Sequence, residues 1–315
     1  MNHEAVAYLI FGIVVVIALV FDLGLFSKKS TEVSIRTALY QSVFWIVLAL
    51  AFGVFMWLYE GETPGLEYLS AYLMEKSLSV DNIFVFILIF SFFRIRTDHI
   101  ARALFIGILM AIVFRVIFIT VGVVLVDKFR WILYIFGAFL VYTGIKIFTV
   151  KQEEEFNPAN SSVYKFLNRF LPIIHEDVDG KLVVKRNGKR YYTNMFLVIV
   201  MLATTDIVFA VDSIPAVFAI VTDTPARELV IYTSNIFAVL GLRALFFLLK
   251  GAVAKFEYLQ QGIAIVLVFI GLKMLVEYFH IRVPVYISLM VIVVCLVGSM
   301  TYSLQVTRRR RRKQT

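Results

Sequence analysis

Apolar residues run in nine long blocks along the chain, at 6–26, 38–59, 66–93, 100–126, 131–150, 195–221, 229–249, 258–279 and 283–306, with polar residues gathered between them. Each block is long enough to cross about 30 Å of hydrocarbon as a helix rising 1.5 Å per residue. The pattern predicts an all-α membrane protein of about nine transmembrane helices. The first block lacks a basic leader and is longer than a signal-peptide core, so it reads as a helix. One polar segment, 151–193, interrupts the series. Within it, 163–171 has the spacing of a short amphipathic helix. Residues 181–192 read as a hairpin, with Leu182-Val183-Val184, a type I′ turn at Asn187-Gly188, and Tyr191-Tyr192. His175, Glu176, Asp177 and Asp179 precede it and read as a solvated acidic loop, with a regulatory metal site as the alternative.

Composition agrees with the blocks: 61% of residues are hydrophobic and 17% charged, against about 45–50% and about 25% in soluble domains. The net charge of +9 does not require nucleic acid, because basic residues cluster at alternate loops. Lys28, Lys29 and Arg36 follow block one, Arg94, Arg96 and Arg102 surround the loop after block three, Lys250 and Lys255 follow block seven, and 308–313 follow block nine. The loop after block two instead carries Glu60 and Glu62, and the loop after block six has only Arg227. The positive-inside bias then puts the N-terminus outside and the C-terminus, with its basic tail, in the cytoplasm. The partner these features imply is the lipid bilayer, with no nucleic acid.

Three landmarks recur. Val80-Asp81-Asn82-Ile83 matches Val211-Asp212-Ser213-Ile214, Arg115 with a following Phe118 matches Arg243 with Phe246, and Gly144-Ile145-Lys146 matches Gly271-Leu272-Lys273. The offsets are 212 − 81 = 131, 243 − 115 = 128 and 271 − 144 = 127. Each copy holds three helices, so the second must enter the membrane from the opposite side, the arrangement of inverted-repeat transporters. The chain divides into two N-terminal helices (1–65), a first repeat (66–150), a cytoplasmic loop (151–193), a second repeat (194–280), a last helix (281–306) and a basic tail (307–315).

The acids inside the blocks carry the chemistry. Glu75 and Asp81 in block three align with Asp206 and Asp212 in block six, six residues apart in each case. A carboxylate at mid-helix costs about 2.5–3.5 kcal/mol on insertion scales, so four are not filler. Six residues turn a regular helix by about 600° and raise it about 9 Å, so one straight helix does not aim both acids at one ion. Either the acids form two layers along a path or the helix unwinds between them. Pro215, and Ser77, Ser79 and Asn82 in the other copy, favour unwinding, with Asp81 and Asp212 then meeting at the pseudo-twofold axis. The four histidines, His3, His99, His175 and His280, and the single cysteine, Cys295, lie away from these acids. The site is therefore an oxygen site, suited to a hard divalent cation. Asp22 and Asn235 are accessory candidates. Arg115 and Arg243 read either as ion-pair partners of the acids or as competitors of the cation. Lys146 and Lys273 fall near helix ends, where snorkelling is sufficient.

At these residues the chain resembles the TerC family. The resemblance rests on Glu75-Lys-Ser-Leu-Ser-Val-Asp-Asn-Ile-Phe, on Asp206-Ile-Val-Phe-Ala-Val-Asp-Ser-Ile-Pro-Ala, and on the stretches beginning at Trp131 and Thr233. It runs from the first block to the last. It implies a bacterial inner-membrane protein implicated in manganese export, in a family named for tellurite resistance and linked to alkaline response and to metal loading of secreted enzymes. It implies that Glu75, Asp81, Asn82, Asp206, Asp212 and Ser213 line the ion site. One departure stands out: Ala203 occupies a position where the family often has Glu, three residues before Asp206.

The reading is a secondary transporter exporting Mn²⁺, with proton coupling through the same carboxylates and no cofactor, since the chain has no Gly-rich Lys-Ser/Thr nucleotide loop. Two other readings make different demands. An intramembrane aspartyl enzyme needs one proton-sharing dyad, whereas two aligned pairs are present. A membrane partner protein docking through 151–193 treats the carboxylates as structural.

Overall fold

The computed structural model describes residues 3–26, 34–149, 158–176, 178–186, 188–222, 224–250, 258–277, 279 and 283–314. Long helices occupy every apolar block: α1 (His3–Phe26), α2 (Ile35–Glu60), α3 (Glu62–Phe92), α4 (Thr97–Lys128) and α5 (Ile132–Thr149) in the first half. In the second half they are α7 (Asn194–Ile220), α8 (Arg227–Leu240) with α9 (Leu242–Leu249), α10 (Leu259–Glu277) and α11 (Val285–Gln314). Among the described residues five helical runs are long and apolar enough to cross a membrane: Ile35–Glu60, Thr97–Lys128, Asn194–Ile220, Arg227–Leu249 and Val285–Ser303. Shorter apolar helices lie at Val6–Val20, Ile132–Ile147 and Gln260–Val276.

The flanks differ from those of a soluble protein, and the interior holds several charged groups. Val16, Val20, Leu58, Val124 and Val294 are exposed, while Glu67, Glu75, Arg115, Asp206 and Asn235 are buried. Apolar flanks around a largely apolar interior that also holds buried charges suit hydrocarbon as the surrounding medium. The run Arg227–Leu249 is the most enclosed, and α11 and α2 lie at the periphery. An aromatic cluster of Phe11, Phe52, Tyr68 and Phe237 ties α1, α2, α3 and α8 together.

Helices α3 and α7 lie side by side and antiparallel. At one end Asn194 Nδ2 donates to the Phe93 carbonyl at 3.1 Å, and at the other the Thr222 backbone N–H donates to Glu67 Oε1 at 2.9 Å. Helix α3 packs on α8 just as α7 packs on α4, and α5 packs along α10. The α5–α10 crossing is glycine-lined. A Cβ on Gly271 would fall 2.5 Å from the Gly137 carbonyl oxygen, and one on Gly144 would fall 2.8 Å from the Ala264 carbonyl oxygen.

The expected hairpin is present: β2 (Val183–Arg186) pairs antiparallel with β3 (Lys189–Thr193), with Arg186 opposite Lys189. A two-residue loop follows from that register, with Gly188 at φ +77°. A short β1 (Ile173–Ile174) adds a parallel edge to β3. The amphipathic helix forms as α6 (Ser162–Phe170). The acidic loop serves surface ion pairs, Glu176 with Arg186 at 3.3 Å and Asp179 with Arg96 at 3.8 Å; Asp177 lies outside the described residues.

Two expectations are corrected. Helices α3 and α7 do not unwind: both are continuous, with Pro215 inside α7. The serines of α3 donate to its own carbonyls, Ser77 to Leu73 at 2.6 Å and Ser79 to Glu75 at 2.8 Å, so their hydroxyls are satisfied within a closed helix. The break falls instead at Gly241, between α8 and α9. Lys273 does not snorkel. It is 8% exposed and lies within electrostatic reach of Glu67, whereas Lys146 is exposed.

Candidate metal centre

Glu75 on α3 and Asp206 on α7 are drawn to one point by Arg115 on α4. The guanidinium donates Nη1 to Glu75 Oε1, and Nε and Nη2 to the two oxygens of Asp206 at 3.2 Å each. Nη1 also reaches Asn235 Oδ1 on α8 at 3.3 Å, and Asn235 Nδ2 donates to its own helix at the Ile231 carbonyl, 2.9 Å away. Arg115, Glu75, Asp206 and Asn235 are each exposed by 1% or less. One planar cation thus serves an acid from each half of the chain, the forked geometry that arginine supplies and lysine does not.

The cluster is not electrically closed. Two carboxylates face one guanidinium, which leaves a formal excess of one negative charge. Glu75 Oε2 is buried with no hydrogen-bond partner, and so is Ser213 Oγ on α7. Seven residues separate Asp206 from Ser213 and Glu75 from Asn82, two near-complete turns, so each pair shares a helix face. Asn82 and Ser213 are both 2% exposed. These spare oxygens suit a hard cation. Among the described residues no three His, Cys, Asp or Glu side chains converge on one point. The side chains of Asp22, Asp81 and Asp212, and with them the expected meeting of Asp81 and Asp212, lie outside the description. Since α3 and α7 are continuous, Glu75 and Asp81, and likewise Asp206 and Asp212, stand about 9 Å apart along their helices: two layers, not one. The cavity beside Asp206 measures about 10 Å³, lined by Phe86, Leu104, Gly107 and Leu242 among others, room for about one water.

Arg243 sits in α9 just beyond the helix break and is 8% exposed. Two functional-looking residues escaped the sequence reading. Lys76 Nζ donates to the Ala238 carbonyl at 3.1 Å, in the last turn of α8, where carbonyls lack helical partners. Glu67, fully buried, accepts from the Thr222 N–H and, at 2.5 Å, from its hydroxyl, while its Oε2 has no partner. Both were detectable as charges within an apolar block.

Lys76 gives a direct test. A Cβ on Gly241 would fall 2.7 Å from Lys76 Nζ, so Gly241→Ala should displace the ammonium. Lys76→Met is expected to cost about 1.5–3 kcal/mol, the range for a hydrogen bond to a charged group, and much less in a Gly241→Ala background. Thermal unfolding of the four proteins in detergent measures that coupling, and equal costs in both backgrounds would break the link.

This architecture, a helical bundle with apolar flanks and an arginine-bridged pair of buried acids, defines an integral membrane protein with a charged interior. Residues 60–312 match the family described as "Integral membrane protein TerC family", and the chain belongs to that family. It is 43% identical over 290 residues to an uncharacterized membrane protein of Rickettsia felis, covering 92% of this chain and 94% of that one. It is 42% identical over 290 residues to the uncharacterized membrane protein STKORF319 of Myxococcus xanthus, covering 92% and 89%. It is 40% identical over 292 residues to the "Putative membrane-bound redox modulator Alx" of Escherichia coli, covering 90% and 89%. No solved structure matches the chain.

Proposed function

We propose that the chain is a secondary transporter that exports a divalent cation, Mn²⁺ foremost, across the bacterial inner membrane. The observation that carries this reading is Arg115 bridging Glu75 and Asp206 in an interior too tight for a hydrated ion. In this state the guanidinium offsets one of the two acid charges and occupies oxygens of both. A divalent cation arriving at Glu75, Asp206 and the second layer of Asp81 and Asp212 competes for the same oxygens and releases Arg115. Asn82 and Ser213 add neutral oxygens on the same helix faces.

The packing supports two inverted repeats, α3–α5 and α7–α10. Under the offset of 127, Gly137 corresponds to Ala264 (137 + 127) and Gly144 to Gly271 (144 + 127). The Gly137–Gly271 and Gly144–Ala264 approaches are then images of each other under a twofold axis. With α3 and the three shorter apolar helices crossing as well as the five long runs, nine spans result. The arginine-rich loops favour a cytoplasmic side for the α3–α4 turn and residues 158–193 and an outside N-terminus. The packing of Asp179 on Arg96 and of Arg102 on the Gly180 carbonyl agrees with both segments lying on one side. A thiol-based redox role would have one cysteine to use, Cys295. Proton coupling follows from the shared carboxylates: a bound cation favours their ionised form and protons oppose it, so export should depend on pH.

The test is Mn²⁺ uptake into inside-out vesicles by the wild type, Asp81→Asn and Asp212→Asn. Flux is expected in the wild type and is expected to fall by at least tenfold in each variant, since removing one carboxylate removes charge-assisted ligation worth more than about 1.4 kcal/mol. Unchanged flux in both variants, with wild-type expression and melting temperature, rejects the carboxylate site and returns the structural reading of these residues.

A further inference from the structure

We propose that the outward face of α6 is a membrane-surface contact that seats the 158–193 unit on anionic phospholipid. The inner face of α6 is accounted for. Leu167 is buried, and the Tyr164 ring lies 5.8 Å from Phe92 and 5.7 Å from Phe93 at the end of α3. That contact holds α6 at the level where the membrane helices end, the depth of the headgroups. Its opposite face carries Lys165, Phe166, Arg169 and Phe170, spaced i, i+1, i+4, i+5 and so collected on one stripe. All four are exposed, Phe166 by 59% and Phe170 by 62%.

The rings of Phe166 and Phe170 pack on each other at 4.6 Å, and the Arg169 guanidinium lies 5.7 Å from the Phe170 ring. A face meant for water has no use for two adjacent phenyl rings, and a face meant for hydrocarbon does not interleave them with two cations. The headgroup boundary accepts both, rings toward the acyl chains and cations toward phosphate. Charge complementarity selects anionic lipid. Residues 158–173 contain no Asp or Glu, so the charge of this face is that of the exposed Lys165 and Arg169. A helix of nine residues is too short to cross a bilayer and long enough to lie on one.

The experiment uses the full chain with Cys295→Ala, carrying a nitroxide at Phe166→Cys or Phe170→Cys, in nanodiscs of phosphatidylglycerol or of phosphatidylcholine. Lys189→Cys in the hairpin is the solvent reference. In phosphatidylglycerol, labels at 166 and 170 are expected to collide readily with oxygen and poorly with a water-soluble nickel chelate, the reverse of the label at 189. Lys165→Gln/Arg169→Gln, exposed positions that the fold does not need, should shift the balance of inserted and solvent-exposed label toward water by up to roughly thirtyfold, as should phosphatidylcholine. Nickel access at 166 and 170 equal to that at 189 overturns the proposal. So does burial of the labels that ignores lipid charge, and so does burial that disappears when the protein is diluted in the bilayer, which would assign the face to a second copy of the chain.

Discussion

Replacing Arg115 with methionine is expected to destabilise the protein by about 3–5 kcal/mol, the cost of removing one partner from a buried charge cluster. Arg115 is 1% exposed and serves Glu75, Asp206 and Asn235 at once. Methionine fills part of the volume but leaves two carboxylates facing each other without a cation. Like charges left together in a dry interior repel strongly. The companion variant separates charge from shape: Arg115→Met combined with Glu75→Gln and Asp206→Asn should recover most of the lost stability, because an uncharged cluster has no ion left to desolvate. Neither protein should export Mn²⁺. Arg115→Lys keeps the charge but loses the fork that addresses two carboxylates. It should fall between the wild type and Arg115→Met in melting temperature and retain part of the flux. An Arg115→Met protein with wild-type melting temperature would show that the bridge does not hold the two halves together, and the competition scheme would fall with it.

Helix positions were legible because long apolar helices advertise themselves by length and composition; the blocks agree with the helix ends to within about four residues, except the last, whose helix runs on to Gln314. The hairpin was legible because Asn187-Gly188 admits few turns. The ion pairing of Arg115 was anticipated from the cost of an unpaired charge, although its doubly acidic partnership and its reach to Asn235 required the packing. The site of helix breakage was misjudged. Pro215 sits within α7, where its missing N–H costs one bond, while Gly241, which carries no side chain, leaves space for Lys76 at the α8 terminus. Glu67 escaped for a different reason. Under the offset of 131 its counterpart is Val198 (67 + 131), a buried apolar residue, so matching charges between repeats passes over it. Lys273 was misplaced because its counterpart Lys146 does reach the surface. Matching sequence landmarks thus finds the residues that the two halves share and hides those by which they differ. Here Glu67, Thr222 and Lys273 join α3, the end of α7 and α10, while buried Val198 and exposed Lys146 stand at the matched sequence positions.

The α5–α10 seam yields the second large effect. Gly271→Leu should abolish accumulation of folded protein, and Gly144→Leu should do the same, because each would drive a side chain into the opposing backbone. At Gly271 even a Cβ would lie 2.5 Å from the Gly137 carbonyl oxygen and 2.9 Å from the Val141 nitrogen, and at Gly144 it would lie 2.8 Å from the Ala264 carbonyl oxygen and 2.6 Å from Val268 Cγ2. Backbone atoms cannot rotate away as a side-chain tip can, so the helices must separate. Small residues are what allow such close crossings in a membrane, where no hydrophobic drive between helices makes up for lost contact. For the alanine variants overpacking predicts a loss of about 1–3 kcal/mol each, read as a lower melting temperature in detergent. Gly12→Ala and Gly298→Ala are the controls, since a Cβ at either position meets nothing within 4 Å, and both should match or slightly exceed the wild type because alanine favours helix over glycine. The two seam glycines should also fail together. If Gly144 and Gly271 are related by a twofold axis, their alanine variants should lose similar amounts, and the double variant should lose no more than the sum. A Gly271→Ala protein with wild-type stability would mean that α5 and α10 can part without harm. The seam would then be a sliding surface between the repeats, and Mn²⁺ flux in that same variant would show whether the sliding is part of transport.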